Sequence, residues 1–156
     1  MTTIQTRIAT LADLEVIAPL FDAYRQFYEQ TSDLAVARSF IQDRLQNNES
    51  VVLLASDEIG HIVGFCQLYP TFCSVEAKPI YSLYDLFVSP AARRSGAGRV
   101  LLKAAEKLAA ESGKARMDLT TAKTNKPAQA AYESLGWVRD EIFFAYSKTV
   151  DVQTFE

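Results

Sequence analysis

A short stretch that begins just after Val88 combines glycines with arginines, and this combination favours the binding of an anion. Gly96 and Gly98 lack a Cβ atom, so the backbone around them can approach a ligand closely. If a helix begins here, its first N–H groups and the positive end of its dipole face that anion. We name this stretch the basic glycine loop; it consists of Arg93, Arg94, Ser95, Gly96, Ala97, Gly98 and Arg99.

The anion is expected to be a phosphate, because three arginines cluster in this loop although the formal net charge of the chain is −3. The loop is not a P-loop, which ends in Gly-Lys-Ser/Thr, because Gly98 is followed by Arg99 and Val100. A dinucleotide fingerprint needs a third glycine where Leu101 stands, although Asp118 lies where a ribose-binding acid would be expected. A nicotinamide-dinucleotide oxidoreductase is therefore the disfavoured alternative.

Two motifs resemble those of the GCN5-related N-acetyltransferase (GNAT) superfamily. The segment 88–98 is similar to its acetyl-CoA pyrophosphate motif, Arg/Gln-x-x-Gly-x-Gly/Ala. The segment 125–137 is similar to its second motif, Asn-x-x-Ala-x-x-x-Tyr-x-x-x-Gly-Phe, and the resemblance covers nearly the whole chain. Within the superfamily, the segments 63–65 and 85–88 look most like the diamine (spermidine/spermine-type) acetyltransferases.

The resemblance implies that acetyl-CoA is the donor and that its pyrophosphate binds the backbone of the basic glycine loop. It also implies a sheet that is splayed at the strand ending at Val88, where free backbone groups pair with the pantetheine arm and polarise the thioester carbonyl. Asn125 is expected to bind pantetheine as well as to cap its own helix. The implied cofactor-binding residues outside the loop are Leu86, Phe87, Val88, Asn125, Ala128 and Tyr132.

The reaction that the resemblance implies is direct attack of an amine on the thioester, which needs no serine or cysteine nucleophile. Tyr132 occupies the family position of the acid that protonates the departing thiolate. A base is also needed, because an alkylamine with a pKa of about 10.4 is almost wholly protonated at neutral pH. Diamine acetyltransferases have a glutamate where Tyr84 stands, which leaves Asp85, Glu76 or a water chain past Tyr84 as the base. In a regular strand Tyr84 and Asp85 point to opposite faces, so at most one of them directly faces the acceptor.

Aromatic and acidic residues at the end of the first predicted helix are expected to bind the acceptor. Aromatic rings and carboxylates suit a cationic amine, although the same residues also fit an ordinary amphipathic helix. The expected acceptor is a small polyamine-like or amino-acid amine, and a protein lysine or N-terminal amine is the alternative. A non-catalytic acyl-CoA-binding sensor is a further alternative, because the family glutamate is missing. The residues expected to bind the acceptor are Tyr24, Tyr28, Glu29 and Tyr84.

The hydrophobic pattern predicts an α/β fold with the element order β-α-α-β-β-β-α-β-α-β-β. The resemblance implies the GNAT fold, with a mixed central sheet of about seven strands and helices on both faces. Pro19 is expected to kink or split the first helix, and Pro70 to end the regular pairing of its strand. The last strands are expected at 137–138 and 142–146. Because no linker or repeat divides the sequence, residues 1–156 are expected to form a single GNAT N-acetyltransferase domain.

The composition is that of a globular protein, with 49% hydrophobic and 22% charged residues. A pI of about 5.2 argues against nucleic acid as a partner. Cys66 and Cys73 lack metal-ligand spacing, so no metal is expected, and both are expected to be reduced, as in a cytoplasmic protein. No apolar stretch is long enough to cross a bilayer, so no membrane partner is expected. A homodimer is implied by the resemblance alone.

Overall fold

A computed structural model describes residues 3–155 of the chain. Its backbone contacts divide the chain into two compact units, Met1–Thr120 and Thr121–Glu156. The larger unit holds the sheet and three α-helices, and the smaller unit holds one α-helix. Within the residues described, no helix has the length and apolar character needed to span a bilayer. The single domain expected from the sequence stays a prediction.

The larger unit is built on a mixed sheet of five strands. They are β1 (Gln5–Ile8), β2 (Val51–Ser56), β3 (Ile62–Cys73), β4 (Lys78–Val88) and β5 (Met117–Asp118). The first four are antiparallel neighbours in chain order, and β5 joins the free edge of β4 in the parallel direction. β2 is apolar from Val51 to Ala55, which is typical of a strand covered on both faces.

The helices of the larger unit cover the two faces of this sheet. They are α1 (Leu14–Phe27), α2 (Leu34–Gln46) and α3 (Ala97–Glu111), while α4 (Lys126–Ser134) belongs to the smaller unit. Side chains at helical spacing on α1 and α2 pack on one face of the sheet. Alternate residues of β2 and β3 point to the other face, where α3 contacts β2, β3 and β4. The first of these core layers includes Ile17, Phe21, Ile41, Val52, Leu54, Phe65 and Phe87.

Side-chain hydrogen bonds organise the chain before α1 and α2. Thr10 and Asp13 form a capping box at the 3-10 turn 11–13 that leads into α1, in which the Thr10 N–H donates to Asp13 Oδ2 at 2.8 Å. Asp33 is the N-cap of α2. Asp22 of α1 accepts a 2.7 Å hydrogen bond from the Ser32 hydroxyl, which ties the end of α1 to the start of α2.

Two prolines do not act as the sequence indicates. α1 runs unbroken through Pro19, which is exposed, so the Glu15 carbonyl that loses its helical partner remains open to water. β3 continues past Pro70, which lies opposite Tyr81 of β4. The Tyr81 N–H donates to the Arg116 carbonyl beside β5 at 3.1 Å, so Tyr81 and Pro70 form a non-hydrogen-bonded pair. The proline nitrogen therefore points to the edge where β2 has ended, and no sheet hydrogen bond is lost.

The expected count of about seven strands is wrong, because the last two expected strands do not form among residues 3–155. The residues 137–151 contain neither helix nor strand, and β5 is shorter than the expected 117–122. Local hydrogen bonds account for this outcome. The Trp137 N–H donates to the Tyr132 carbonyl at 3.1 Å, and the Asp140 carboxylate accepts from the Ile142 N–H at 2.9 Å. These bonds use backbone donors that a sheet would need.

Candidate functional site

The basic glycine loop connects β4 to α3 and leaves backbone donors at the start of that helix. Gly96 is the N-cap of α3 and has a φ of 87°, a left-handed conformation that favours glycine. The first hydrogen bond of the helix runs from the Val100 N–H to the Gly96 carbonyl at 3.0 Å. The N–H groups of Ala97 and Gly98 lie in the first turn, where helical geometry supplies no acceptor. Ser95 Oγ accepts from Ala97 only at 3.3 Å.

There is open space in front of these donors. A Cβ atom at Gly96 would meet no other atom within 4 Å, and one at Gly98 would meet only Val88 Cγ2, at 3.9 Å. Gly96 is therefore required by its backbone conformation and not by crowding. Space, first-turn donors and the positive end of the α3 dipole coincide, so the loop fits the diphosphate of acetyl-CoA.

The three arginines of the loop do not act alike. All are exposed, and Arg94 has a positive φ of 67°. Arg93 bends back over the sheet, where its Nε donates to the Val88 carbonyl at 3.3 Å. Its guanidinium carbon lies 5.6 Å from the ring centroid of Phe27 and 5.7 Å from that of Phe87. The side chain of Arg93 is thus bound to aromatic rings, a cation–π arrangement.

One edge of β4 is open toward its end. β5 pairs with β4 only at Tyr81 and Ser82 within the described residues. The Ser89 N–H donates to the Val63 carbonyl at 2.8 Å, which makes these opposed residues a hydrogen-bonded pair. The antiparallel alternation then directs the backbone groups of Phe87 toward β3, and those of Leu86 and Val88 toward the open edge. Of the strand residues predicted to meet the pantetheine arm, Leu86 directs its N–H and carbonyl to this edge. Val88 directs its N–H there, while its carbonyl accepts from Arg93 Nε. Phe87 instead contributes its buried ring to the core.

A β-bulge sits in the middle of β4. Gln67 is opposite Asp85 but Leu68 is opposite Leu83, so Tyr84 has no counterpart on β3. The Tyr84 ring lies 5.5 Å from that of Tyr69. Tyr69 and Gln67 are two positions apart on β3, so their side chains lie on the same face of the sheet. Gln67 bonds the Asp85 side chain on that face. The expectation that Tyr84 and Asp85 point to opposite faces is therefore wrong, because the bulge interrupts the alternation.

Asp85 is the most unusual titratable group of this face. It is 5% exposed, and its Oδ2 accepts a 2.7 Å hydrogen bond from the side-chain amide of Gln67, which is fully buried. The Gln67 carbonyl oxygen in turn accepts from Ser50 Oγ at 2.7 Å. Burial raises the pKa of Asp85 above its ordinary value, and hydrogen bonds from Gln67 and Tyr24 oppose that rise. Burial, followed by the nearby Asp85, raises the pKa of Tyr24 and raises that of Tyr69 to about 12.

Gln67 and Ser50 were not among the residues predicted from sequence. The available signal is a single amide within the apolar run Gly64-Phe65-Cys66-Gln67-Leu68 of β3. Because a buried polar side chain must find a partner, an amide in such a run indicates a second polar group on the neighbouring strand.

Aromatic rings connect Asp85 to the end of α1. Tyr24 lies 5.2 Å from Tyr28, and Phe27 lies 5.2 Å from Tyr28, between ring centroids. Tyr24 is half-buried and close enough to Asp85 to affect the pKa of its carboxyl, whereas Glu29 is exposed in the turn after α1 with a φ of 66°. Of the residues predicted to bind the acceptor, Tyr24, Tyr28 and Tyr84 thus lie near Asp85. We name Tyr24, Phe27, Tyr28, Tyr69, Tyr84 and Phe87 the aromatic wall.

Glu76, one of the groups considered as a base, lies away from this cluster. It is in the turn before β4, and its carboxylate is 3.6 Å from Arg116. Lys78 and Asp85 are seven positions apart on β4, which is about 23 Å of strand. Glu76 is therefore too far from Asp85 for the two carboxyl groups to face the same nitrogen atom.

The second motif forms a capped helix in the smaller unit. Asn125 is the N-cap of α4, as predicted, and its side chain accepts from the Ala128 N–H at 3.3 Å. Tyr132 lies on the same helix and packs its ring 6.1 Å from that of Trp137. Among the side chains of residues 3–153, no group of three or more His, Cys, Asp or Glu residues could hold a metal ion.

Comparison with known proteins agrees with this geometry. Residues 16–137 match the model of the acetyltransferase (GNAT) family. An uncharacterised N-acetyltransferase of Bacillus subtilis (strain 168), YhfO, is 48% identical over 144 residues, 92% of this chain and 96% of that protein. The crystal structure of a probable acetyltransferase is 38% identical, with a TM-score of 0.88 over 94% of this chain and 98% of that one.

A more distant structure shares the fold. An aminoglycoside acetyltransferase from an uncultured soil metagenomic sample, solved in complex with sisomicin, has a TM-score of 0.77 at 22% identity. The match covers 95% of this chain and 97% of that one. Taken with the family model, these relatives show that the chain belongs to the GNAT family of acetyltransferases and is an acyltransferase enzyme with an α/β GNAT fold.

Proposed function

We propose that this protein transfers the acetyl group of acetyl-CoA to the primary amine of a small, cationic molecule, a polyamine-like or amino-acid amine. One observation carries the proposal. β4 bears the buried carboxyl of Asp85 and the open backbone edge at Leu86 and Val88, and it leads directly into the basic glycine loop. A single strand thus joins groups suited to an amine with groups suited to acetyl-CoA.

The residues proposed to hold acetyl-CoA follow the geometry of the loop and the edge. The N–H groups of Ala97 and Gly98 bind the diphosphate, with Arg94 and Arg99 adding positive charge. Leu86 and Val88 pair with the pantetheine arm, and Asn125 and Ala128 are assigned to the same ligand by the family motif. When bound, acetyl-CoA supplies the activated thioester.

Asp85 is the proposed base. As a carboxylate it takes one proton from the acceptor ammonium, which frees the nitrogen lone pair for attack on the thioester carbonyl. Tyr24 bonds the same carboxyl group and lines the approach. The attacking nitrogen loses its second proton to solvent. Tyr132 gives a proton to the departing thiolate and regains one from solvent, and Asp85 returns its proton to solvent, so each turnover releases one net proton. The ring of Tyr84 packs beside that of Tyr69 in the aromatic wall and is proposed to contact the acceptor there.

The acceptor class is supported by charge and by ring placement. The aromatic wall already holds one cation of this chain, the Arg93 guanidinium, between Phe27 and Phe87. A buried carboxyl beside such rings favours an ammonium group over a neutral or anionic acceptor. The same features support a place for this protein in the diamine-acetyltransferase branch of the family.

A non-catalytic acyl-CoA sensor is the second candidate, favoured by one observation: Tyr84 stands where the diamine enzymes have a glutamate. Two measurements separate the candidates. Thermal unfolding with acetyl-CoA, and with NADH as the control ligand, should show stabilisation by acetyl-CoA alone. A thiol-release assay with diamines, amino acids and a lysine peptide should then show turnover with a small amine. Binding without turnover would support the sensor, and turnover with the peptide alone would replace the small amine by a protein acceptor.

A matched pair of variants tests the base. Asp85→Asn should abolish most turnover, while Asp43→Asn, at an exposed position of α2, should leave it unchanged. Unchanged turnover in Asp85→Asn would remove Asp85 from the mechanism.

The proposal extends to a cytoplasmic homodimer, which the family resemblance supports. Light scattering at several protein concentrations should give the mass of two chains, and a stable mass of one chain would contradict it.

A further inference from the structure

We propose that Gln67 is a positioning residue, which fixes one carboxyl oxygen of Asp85 and leaves the other lone pairs for Tyr24 and the acceptor nitrogen. This inference rests on the proposed function of Asp85 as the base and adds the residues that orient it.

The orientation of the Gln67 amide is set by the Asp85 carboxylate, which can only accept, so the amide nitrogen faces Asp85 Oδ2 at 2.7 Å. The Ser50 hydroxyl, which can donate or accept, then donates to Gln67 Oε1 at 2.7 Å and holds the amide in place. The reversed amide would place an oxygen against the carboxylate. Two bonds of this length around a fully buried side chain therefore define one arrangement.

The direction of donation matters for the chemistry of Asp85. An N–H donor stabilises the carboxylate over the carboxylic acid, and only the carboxylate can take a proton from an ammonium group. Because burial of Asp85 favours the neutral acid, Gln67 counters the desolvation that the site imposes. Without this donor, Asp85 would be protonated over a wider pH range and would lose its fixed orientation.

Other titratable and charged groups surround the carboxyl of Asp85 and must be unchanged in any test. Tyr24 of α1 and Cys66 and Tyr69 of β3 interact with Asp85 itself, whereas Tyr28, Arg44 and Tyr84 act on Tyr24 or Tyr69. Gln67 is the side chain that donates to Asp85 Oδ2 at 2.7 Å, so its effect is separable from theirs.

Gln67→Met tests the proposal, because methionine matches glutamine in length and volume but offers no donor. The acid limb of the pH profile of kcat/KM should move up by about one pH unit, as expected for the loss of a hydrogen bond to a charged group. Ser50→Ala should move it in the same direction by less, because the amide remains and only its orientation is released. Thr71→Ala, exposed on the same strand, is the control and should leave the profile in place.

A second readout does not depend on turnover. Carbon-13 NMR of the aspartate carboxyl groups, with the Asp85 signal assigned by its loss in Asp85→Asn, follows the titration of Asp85 directly. Its midpoint should move to higher pH in Gln67→Met and, by less, in Ser50→Ala. If the wild type binds acetyl-CoA but acetylates no amine, the proposed function fails while this titration still decides the role of Gln67.

The proposal is overturned if neither the kinetic limb nor the NMR midpoint of a folded Gln67→Met protein differs from the wild type. If Gln67→Met does not fold, Ser50→Ala decides, since Ser50 is only partly buried and its loss opens no large cavity. An unchanged Asp85 midpoint in Ser50→Ala would then count against the proposal.

Discussion

Gln67 and Asp85 face each other directly across β3 and β4, joined by a 2.7 Å hydrogen bond, immediately beside the bulge at Tyr84. The bulge turns two successive residues of β4 toward the α1 face. The hydrogen bond then holds the second of them, Asp85, among apolar and aromatic side chains. A carboxyl group in such surroundings is expensive to bury, so its presence favours a chemical role over a structural one.

The first prediction concerns the activity of Asp85→Asn. Asparagine keeps the shape and can still accept from Gln67, but it cannot take a proton. The rate with a small amine at pH 7 should fall by about 100-fold or more, the usual loss for a general base. Binding of acetyl-CoA, measured by calorimetry, should stay within about twofold. A comparable fall in acetyl-CoA affinity would mean that the change disturbs the fold of β4 instead.

The same variant should be more stable than the wild type at neutral pH. Burial raises the pKa of Asp85 in the folded state, so folding favours its protonated form. The stability that this provides is present below the ordinary aspartate pKa and is lost as the pH rises through the raised value. Asparagine is neutral throughout. The difference in Tm between Asp85→Asn and the wild type should therefore be positive at pH 8 and shrink toward zero near pH 4. A difference that does not change with pH would contradict the burial of a charge.

Gly96→Ala should weaken acetyl-CoA binding. The φ of 87° at Gly96 costs alanine about 1 kcal/mol of folding free energy, and the added Cβ would project into the open space before α3. Calorimetry should show at least tenfold weaker binding. Gly113→Ala is the matched control, because Gly113 has a φ of 71° after the other end of the same helix, with nothing within 4 Å of a Cβ. Gly113→Ala should lose similar stability and bind acetyl-CoA normally. An equal loss of acetyl-CoA affinity in both variants would contradict a role of the basic glycine loop in binding the diphosphate.

Tyr132→Phe should reduce turnover much more than acetyl-CoA affinity. The variant removes only the phenol that the proposal assigns to thiolate protonation, and the ring contact with Trp137 remains. Steady-state rates and calorimetry on the same preparation measure the two effects. Tyr146→Phe, at a position 92% exposed, serves as the control. Turnover equal to the wild type in Tyr132→Phe would exclude Tyr132 as the acid.

Asp13→Asn should destabilise the larger unit in a pH-dependent manner. Hydrogen bonds from Arg7 and the Thr10 N–H lower the pKa of Asp13 to about 2. Its stabilisation is thus present above the ordinary value of 3.8 and is lost as the pH falls through about 2. Because Arg7 is more than half exposed, the loss at pH 7 should be about 1 kcal/mol in urea unfolding. Destabilisation of equal size at pH 2 would instead indicate a steric effect of the amide.

Short-range patterns predicted the elements that carry the proposed cofactor-binding residues. The glycines and arginines after Val88 indicated the loop and the start of α3, and Asn125 indicated the cap of α4. The apolar alternation of β4 indicated a strand but not its bulge.

The sequence by itself determined the family, the glycine loop before α3 and the order of elements up to α4, because each depends on neighbours within a few residues or on a motif. Only the tertiary structure decided which side chains meet. The register of β3 against β4 put Gln67 beside Asp85 and Tyr84 on the same face, and a shift of one residue would have separated them. The strands expected near the C-terminus depended on partners elsewhere in the chain, and within residues 3–155 local hydrogen bonds took their backbone donors. Strand pairing is decided by distant backbone groups, which no local pattern encodes.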